Sequence, residues 1–378
     1  MKICLINPTD FPRTEVFDLS SHLSEAGYEV TILFPTKNKV LNADVKKISF
    51  PAYFLPKIHY TIPNLIQEYS IISDLVTKGN YNIIQACDYD YLTSLPPLFV
   101  KKKINIPLII TTDAFPGISW FFGNRFVDAV GKTYTQTLGK LIFNFCDKLV
   151  VLSNNLAEDS KKIGISPKKV CVIPNGINFN QFSPEVDGTE IRKKLNITDN
   201  EKVILFVGRL SLVKRVDILI DVIKRLSKEG LQVKAVIIGD GEYRDYYHKL
   251  AESNNNIIFT GSISHSEIQK YFAMADVFML PSLSEGLPNV LLEVAACAKP
   301  IVATNTGGIS DIVIHGKTGF LVEHGDLDAF IEYVRLILND EELSKKLGNN
   351  AYEHVRKEFD WSVIIKKYEQ VYEGLTRM

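Results

Sequence analysis

Two short stretches of this chain hold the residue types that handle a phosphate ester. The first is Ser282-Leu283-Ser284-Glu285-Gly286-Leu287-Pro288-Asn289-Val290-Leu291-Leu292-Glu293. It follows the apolar run Val277–Leu280, which reads as a buried strand, and Pro288 sits where a helix begins. A strand-to-helix turn exposes backbone N–H groups and the positive end of a helix dipole, which together hold a phosphate or pyrophosphate. Glu285 and Glu293 bracket that turn. Carboxylates repel phosphate but accept strong hydrogen bonds from hydroxyls. The ligand implied is a diphosphate flanked by hydroxyl-rich groups, as in a nucleotide-sugar. A Glu near a helix start also serves simply to balance the dipole, so the second stretch matters. Val203–Val207 ends in Gly208-Arg209-Leu210, and Lys214-Arg215 follows. A guanidinium fork at a strand's carboxyl end and an ammonium before the next helix suit a diphosphate leaving group, and they need no metal. Gly239-Asp240-Gly241, after a third apolar run, lets backbone approach a ligand.

Two series of buried strands position these residues. The first comprises Ile3–Ile6, Val30–Phe34, Ile83–Gln85, Leu108–Thr111, Leu149–Leu152 and Val170–Ile173. Between them lie helical patterns such as Val16–Ala26, closed by Gly27. The second comprises Val203–Val207, Lys234–Ile238, Ile257–Thr260, Val277–Leu280, Pro300–Ala303 and Gly319–Val322. Its helices are expected at Asp217–Ser227, Tyr243–Glu252, Ser266–Met274, Val290–Ala298 and Leu327–Asn339. Strands without polar alternation, separated by helices, form parallel sheets covered on both faces. The expectation is an α/β chain of two doubly wound, Rossmann-like domains facing a central cleft, over residues 1–174 and 175–360, with Asn175 and Gly176 as the hinge.

Composition narrows the function. The chain has 378 residues, enough for two domains, and 43 Lys plus Arg against 44 Asp plus Glu give a net charge of −1. That balance excludes a basic nucleic-acid binder. Five scattered cysteines without a CxxC pair suggest neither a disulfide framework nor a zinc site, and each reads as a buried hydrophobe. The seven histidines show no metal-ligand spacing, so no metal is expected; His22 and His248 read as surface residues on helices. The turn after the first strand, Asn7-Pro8-Thr9-Asp10-Phe11-Pro12-Arg13, has no glycine, which argues against a dinucleotide oxidoreductase. The first apolar stretch is too short for a signal peptide, and no run approaches a membrane span, so a cytoplasmic protein is expected. Contact with the inner face of a membrane is suggested by the net +4 over residues 1–175. It is suggested also by Lys101-Lys102-Lys103, by the aromatic stretch Phe50-Pro51-Ala52-Tyr53-Phe54-Leu55-Pro56-Lys57, and by Trp120-Phe121-Phe122 with Arg125.

From about residue 145 onward, the chain resembles the retaining glycosyltransferases of family 4, which have the GT-B fold. The matching pieces are Pro174-Asn175-Gly176-Ile177, Gly208-Arg209-Leu210 with Lys214, Gly239-Asp240-Gly241, Pro281-Ser282 and Glu285 through Glu293. Thr306-Gly307-Gly308, Gly316-Lys317-Thr318-Gly319-Phe320-Leu321-Val322 and Asp360-Trp361-Ser362 extend the match. The resemblance implies transfer of a hexose from a UDP- or GDP-sugar with retention, with no metal or cofactor. It implies that Glu285 meets the donor sugar, and that Glu293 meets the ribose. It assigns the diphosphate to Arg209, Lys214 and the amides of Gly286, Leu287, Pro288-Asn289 and Val290, and the base to the loop near Gly261 and Ile263. The helix 361–378 would complete the first domain, which would hold a glycan or lipid-linked acceptor. Three departures stand out: the glycine-free first turn, where Arg13 is a candidate compensating charge; Thr112 or Asp113 where the family often has a His; and Arg215 where it usually has Gly. Asp113 is accordingly a candidate for orienting the acceptor. The rival readings are a nucleotide-sugar epimerase or phosphorylase on the same fold, and a non-catalytic nucleotide-sugar-binding partner of a glycosyltransferase.

Overall fold

A computed structural model describes residues 1–9, 13–35, 45–55, 60–252 and 254–377. Asp10, Phe11 and Pro12 of the first turn, and Pro56 and Lys57 of the aromatic stretch, lie outside the described residues. The chain divides into two compact units, Met1–Gly176 with Trp361–Met378, and Ile177–Asp360.

The first unit runs β1 (Lys2–Ile6), α1 (Thr14–Glu25), β2 (Glu29–Pro35), β3 (Lys46–Phe50), β4 (Ala52–Leu55), β5 (Tyr60–Pro63), α2 (Leu65–Gly79) and β6 (Ile83–Cys87). It continues through α3 (Leu95–Ile104), β7 (Leu108–Thr112), α4 (Arg125–Tyr134), α5 (Lys140–Phe145), β8 (Lys148–Val151), α6 (Asn154–Ile163) and β9 (Val170–Val172). Seven strands form one parallel sheet in the order β3-β2-β1-β6-β7-β8-β9. The order reverses at β1 and β6, so the loops leaving Ile6 and Cys87 open at the switch point where ligands bind in such sheets.

In the second unit, α7 (Thr189–Lys194), β10 (Lys202–Val207), α8 (Val216–Lys228), β11 (Val233–Ile238), α9 (Arg244–Ala251), β12 (Ile257–Gly261) and α10 (Ile268–Met274) come first. Then follow β13 (Val277–Leu280), α11 (Asn289–Ala296), β14 (Ile301–Thr304), α12 (Ile309–Ile312), β15 (Gly319–Val322), α13 (Leu327–Asn339) and α14 (Glu341–Phe359). Its parallel sheet has the order β12-β11-β10-β13-β14-β15, and the switch point lies between β10 and β13. Those are the strands that lead into Gly208-Arg209 and Pro281-Ser282.

The last helix, α15 (Trp361–Thr376), belongs to the first unit. Ile364, Ile365, Tyr368 and Tyr372 pack with Ile3 and Leu5 of β1 and Leu19 and Leu23 of α1 in one core. The buried Tyr372 hydroxyl donates to Gln85 Oε1 at 2.6 Å, so the polar end of each side chain is satisfied inside the core. Gly176 must be glycine here, because a Cβ would lie 2.3 Å from Cδ2 of Trp361. His22, expected at the surface, is half-buried and stacks on Trp361 at 4.9 Å between ring centroids. His248 is exposed and stacks on Phe259 at 4.0 Å.

The aromatic stretch expected as a loop is partly sheet. Phe50 ends β3 and is buried, while Tyr53 stands exposed on the antiparallel β4–β5 hairpin. Strands tolerate alternating aromatics well. Cys4, Cys87, Cys146 and Cys297 are buried and Cys171 is half-buried, all of them free. Burial pushes the thiols of Cys87, Cys146 and Cys297 up to about 12.

Glu68 on α2 is the anomaly of this core. Its carboxyl is fully buried with neither oxygen hydrogen-bonded, and burial pushes its pKa up to about 9. Burial, and after it the Glu68 carboxyl, raises the Cys4 thiol. Below the ordinary carboxylate range both folded and unfolded chains hold the proton, and stability is undiminished. Above that range the unfolded chain ionises first, so stability falls as pH rises towards the folded value. Glu68→Met is therefore expected to gain on the wild type by about 1.4 kcal/mol per pH unit between about pH 5 and about pH 8. Denaturant titrations at several pH values measure the gap, and a constant gap would contradict the buried neutral acid.

Candidate functional site

In the second unit the loops after β10 and β13 are joined by a hydrogen bond from the Leu283 N–H to the Val213 carbonyl, 2.8 Å. Across that junction Lys214 Nζ meets Glu285 Oε1 at 2.6 Å. Glu285 is 4% exposed, and the Lys214 side chain is 17% exposed. The pair thus sits in a largely dehydrated place, where each charge stabilises the other more than in water. Sequence reasoning named both residues, and the sheet order brings them together. Lys214 closes a 3-10 turn (Leu212–Lys214), and Arg215 takes the left-handed region at φ 49 before α8 begins. That Arg215 stands where a glycine is common is met by its own ion pair with Asp217, 2.8 Å.

Gly286, Leu287 and Pro288 are buried, Asn289 is exposed and Val290 is half-buried. They lead into α11, where the Leu291 N–H donates to the Pro288 carbonyl at 2.9 Å. The Glu285 loop is braced from behind. Gly308 N–H donates to the Gly286 carbonyl at 2.6 Å, and the Thr306 hydroxyl donates to the Leu283 carbonyl at 3.3 Å. Gly239, at φ 134, lies against Gly208, where a Cβ would fall 1.9 Å from the Gly208 carbonyl oxygen. Gly241 similarly has no room for a Cβ beside Leu210.

Glu293 lies one helical stretch beyond and accepts from His265, with Nε2 to Oε1 at 3.0 Å. Gln181 Nε2 donates to the His265 carbonyl at 2.9 Å. His265 and Gln181 were not singled out from the sequence. The one signal available was that His265 follows the Gly261–Ile263 loop, which the structure places at the end of β12 with Gly261 at φ 71 and Ile263 half-buried. Arg209 is not drawn into the Lys214–Glu285 pair. It is 62% exposed and its Nε donates to Glu242 at 3.0 Å.

The first unit carries a separate charged cluster at its own switch point. Arg13 Nη2 donates to Asp113 at 2.7 Å, Nε donates to Glu15 at 2.7 Å, and Nη1 pairs with Asp88. Although burial opposes its charge, the carboxylates Asp113 and Glu15 hold the Arg13 guanidinium more firmly protonated than usual. Asp90 is pushed up to about 6, by burial first and then by Asp113, with Arg13 working the other way. Of the two residues standing where a His was expected, Thr112 is buried and donates to the Ala114 carbonyl at 2.8 Å. Asp113 remains 43% exposed and faces Arg13. Arg13, Asp88, Asp113 and Asn175 line one recess of this unit. Among the described residues no group of three or more His, Cys, Asp and Glu side chains is arranged to hold a metal ion.

Two family profiles match the chain: Glycosyltransferase Family 4 over residues 14–181, and Glycosyl transferases group 1 over residues 187–354. N-acetyl-alpha-D-glucosaminyl L-malate synthase of Bacillus anthracis is 27% identical over 80% of this chain and 84% of its own length. Sulfoquinovosyl transferase SQD2 of Arabidopsis thaliana is 33% identical over 84% of this chain and 61% of its own length. By their names these relatives handle different sugars. Among solved structures, sucrose-phosphate synthase from Thermosynechococcus elongatus superposes with a TM-score of 0.83 at 21% identity, covering 99% of this chain and 98% of the other. Anabaena HepE in complex with UDP and glucose superposes with a TM-score of 0.78 at 20% identity, covering all of both chains. The two parallel, doubly wound sheets are those of the GT-B fold, and the chain belongs to the family 4-like group of GT-B glycosyltransferases.

Proposed function

We propose that this glycosyltransferase moves a hexose from a UDP- or GDP-sugar to a hydroxyl of a lipid-linked sugar or cell-surface glycan precursor, with retention and without a metal ion or cofactor. The observation that carries the reading is the buried Lys214–Glu285 pair beside the amino end of α11. Lys214 balances the charge that grows on the diphosphate as the sugar leaves, the kind of preorganised contact that lowers a barrier most. Arg209 exchanges Glu242 for the diphosphate, and the N–H groups of Gly286, Leu287, Asn289 and Val290 take its oxygens, with Pro288 fixing the turn between them. Glu285 accepts from the sugar hydroxyls, Glu293 from the ribose, and the loop at Gly261 and Ile263 takes the base. The acceptor oxygen bonds to the anomeric carbon on the face from which the diphosphate departs. The electrons of the broken C–O bond leave with the diphosphate, whose oxygen receives the acceptor's proton. No protein nucleophile is used. The first unit, with Arg13 and Asp113, takes the acceptor, and the protein works peripherally at the inner face of the cell membrane.

Support comes from the solved neighbours bound to UDP or UDP-glucose and from relatives named as sugar transferases. The test is nucleoside-diphosphate release from a panel of UDP- and GDP-sugars, with and without a membrane lipid extract, for wild type and Glu285→Ala. Release from one donor that rises with lipid and disappears in the variant supports the proposal. Release indifferent to lipid removes the lipid-linked acceptor, and none from any donor leaves a nucleotide-sugar-binding partner. Glu293→Ala is expected to weaken donor binding by about 1–3 kcal/mol through lost hydrogen bonds to ribose. Calorimetry with the donor checks this, and unchanged affinity would remove the ribose role.

A further inference from the structure

A helix packed on a globular unit normally hides an apolar stripe, yet α4 has no buried residue. Its apolar side chains face water: Phe126 is 77% exposed, Val130 54% and Val127 40%. Just before it Phe122 is 49% exposed, and beyond it on α5 Leu141 is 50% and Phe145 49% exposed. The two helices are one continuous helical run, linked by a π turn (Thr135–Gly139). The inner side of that run is fixed. Thr135 and Tyr89 share a 2.7 Å hydrogen bond, Phe143 packs on the Tyr89 ring at 4.6 Å, and a Cβ on Gly139 would lie 2.7 Å from that ring. The outer, apolar side is therefore a rigid feature rather than a frayed end.

We propose that this run is a seat for an anionic lipid bilayer, with the Phe126 and Val130 side chains entering the headgroup boundary. Charge selects this occupant. From Arg125 to Phe145 the cations are Arg125, Lys132 and Lys140, against a single acid. That acid, Asp128, is spent accepting the Phe122 N–H at 2.7 Å. The neighbouring α3, which packs on α5, carries the exposed Lys102 and a 63% exposed Phe99, while Lys103 lies over the Tyr69 ring of α2. Apolar side chains flanked by cations are the pattern of a helix lying in an anionic membrane interface. A second copy docked on the same face would set these cations against each other, since a two-fold contact pairs a patch with itself. The inference deepens the reading of a lipid-linked acceptor and rests on it for its purpose; it is measured without donor or acceptor, so failure to float removes the membrane location and leaves sugar transfer to the nucleoside-diphosphate assay.

The experiment is flotation of the full chain with vesicles of phosphatidylglycerol and phosphatidylcholine, and with phosphatidylcholine alone. Wild type is expected to float with the anionic vesicles and to be released by salt, because the attraction is screened. Phe126→Ser with Val130→Ser, and separately Arg125→Glu with Lys132→Glu, are expected to stay behind while keeping the wild-type circular dichroism and melting midpoint. The substituted positions are exposed, so folding does not depend on them. The proposal is overturned if wild type does not float, or if the Phe126 and Val130 variant floats as well as wild type. It is overturned equally if wild type is a dimer in solution and that variant a monomer, since the face would then belong to a second copy.

Discussion

Lys214→Ala is expected to slow sugar transfer by about two to three orders of magnitude, with a much smaller change in donor affinity. The argument begins with burial. Lys214 lies 2.6 Å from a Glu285 carboxylate that is almost wholly removed from water. If its ammonium faces the diphosphate when the sugar–phosphate bond breaks, its contribution is largest when charge on that group is greatest, which is the transition state. Removing one partner of a buried pair also leaves the other charge uncompensated, at a cost of about 3–5 kcal/mol in stability. The two effects are separable. Lys214→Ala combined with Glu285→Gln is expected to recover most of the stability, because no bare carboxylate remains, yet to turn over far more slowly than Glu285→Gln alone. Steady-state rates beside melting curves for the single and double variants decide it. Equal turnover for Glu285→Gln and the double variant would mean that Lys214 serves only the fold.

Gly307→Ala is expected to be the most damaging of the small substitutions, although residue 307 touches no substrate in the proposed scheme. Gly307 sits at φ 54, and a Cβ there would lie 1.8 Å from the carbonyl oxygen of Glu285. No rotamer relieves a clash between a Cβ and backbone, so the segment carrying Glu285 must move. The expected loss is about 4 kcal/mol in stability, and donor binding fails with it. Gly325 provides the comparison, with φ 80 and no atom within 4 Å of its would-be Cβ. Gly325→Ala carries only the left-handed strain, about 1 kcal/mol, and leaves donor binding intact. Equal losses for the two variants would show that backbone strain alone, rather than contact with the Glu285 loop, sets the requirement for glycine.

The parts of this molecule legible in the sequence are those set by local pattern. Buried strand runs such as Val203–Val207 and Val277–Leu280 read directly from apolar continuity, and their pairing as neighbours follows from the doubly wound order. Lys214 and Glu285 were therefore each legible as site candidates, since each stands a few residues past such a strand, while their ion pair was not. What escaped was set by side chains meeting across long separations. Arg13 collects Asp88 and Asp113 from two other loops, and nothing in the spacing of those residues announces it. His265 reaches Glu293 from an exposed turn, and Arg209 meets Glu242, contacts that the spacing does not announce. The β3–β5 region escaped because Phe50–Leu55 is interrupted by Pro51, which reads as a break in a strand and is here the junction between two.

Because α15 fills the core beside β1 and α1, a sheet made before the second unit is completed by a helix made after it. Until α15 leaves the ribosome, Ile3, Leu5, Leu19 and Leu23 have no covering for one face, whereas every strand of the second unit has already been synthesised with its neighbours. The order of maturation is thus inverted relative to the order of synthesis: the second unit is free to consolidate while the first waits as an open, sticky intermediate. Joining contacts so distant in sequence is slow. A chaperone that shields apolar surface during that interval would be felt chiefly by the first unit.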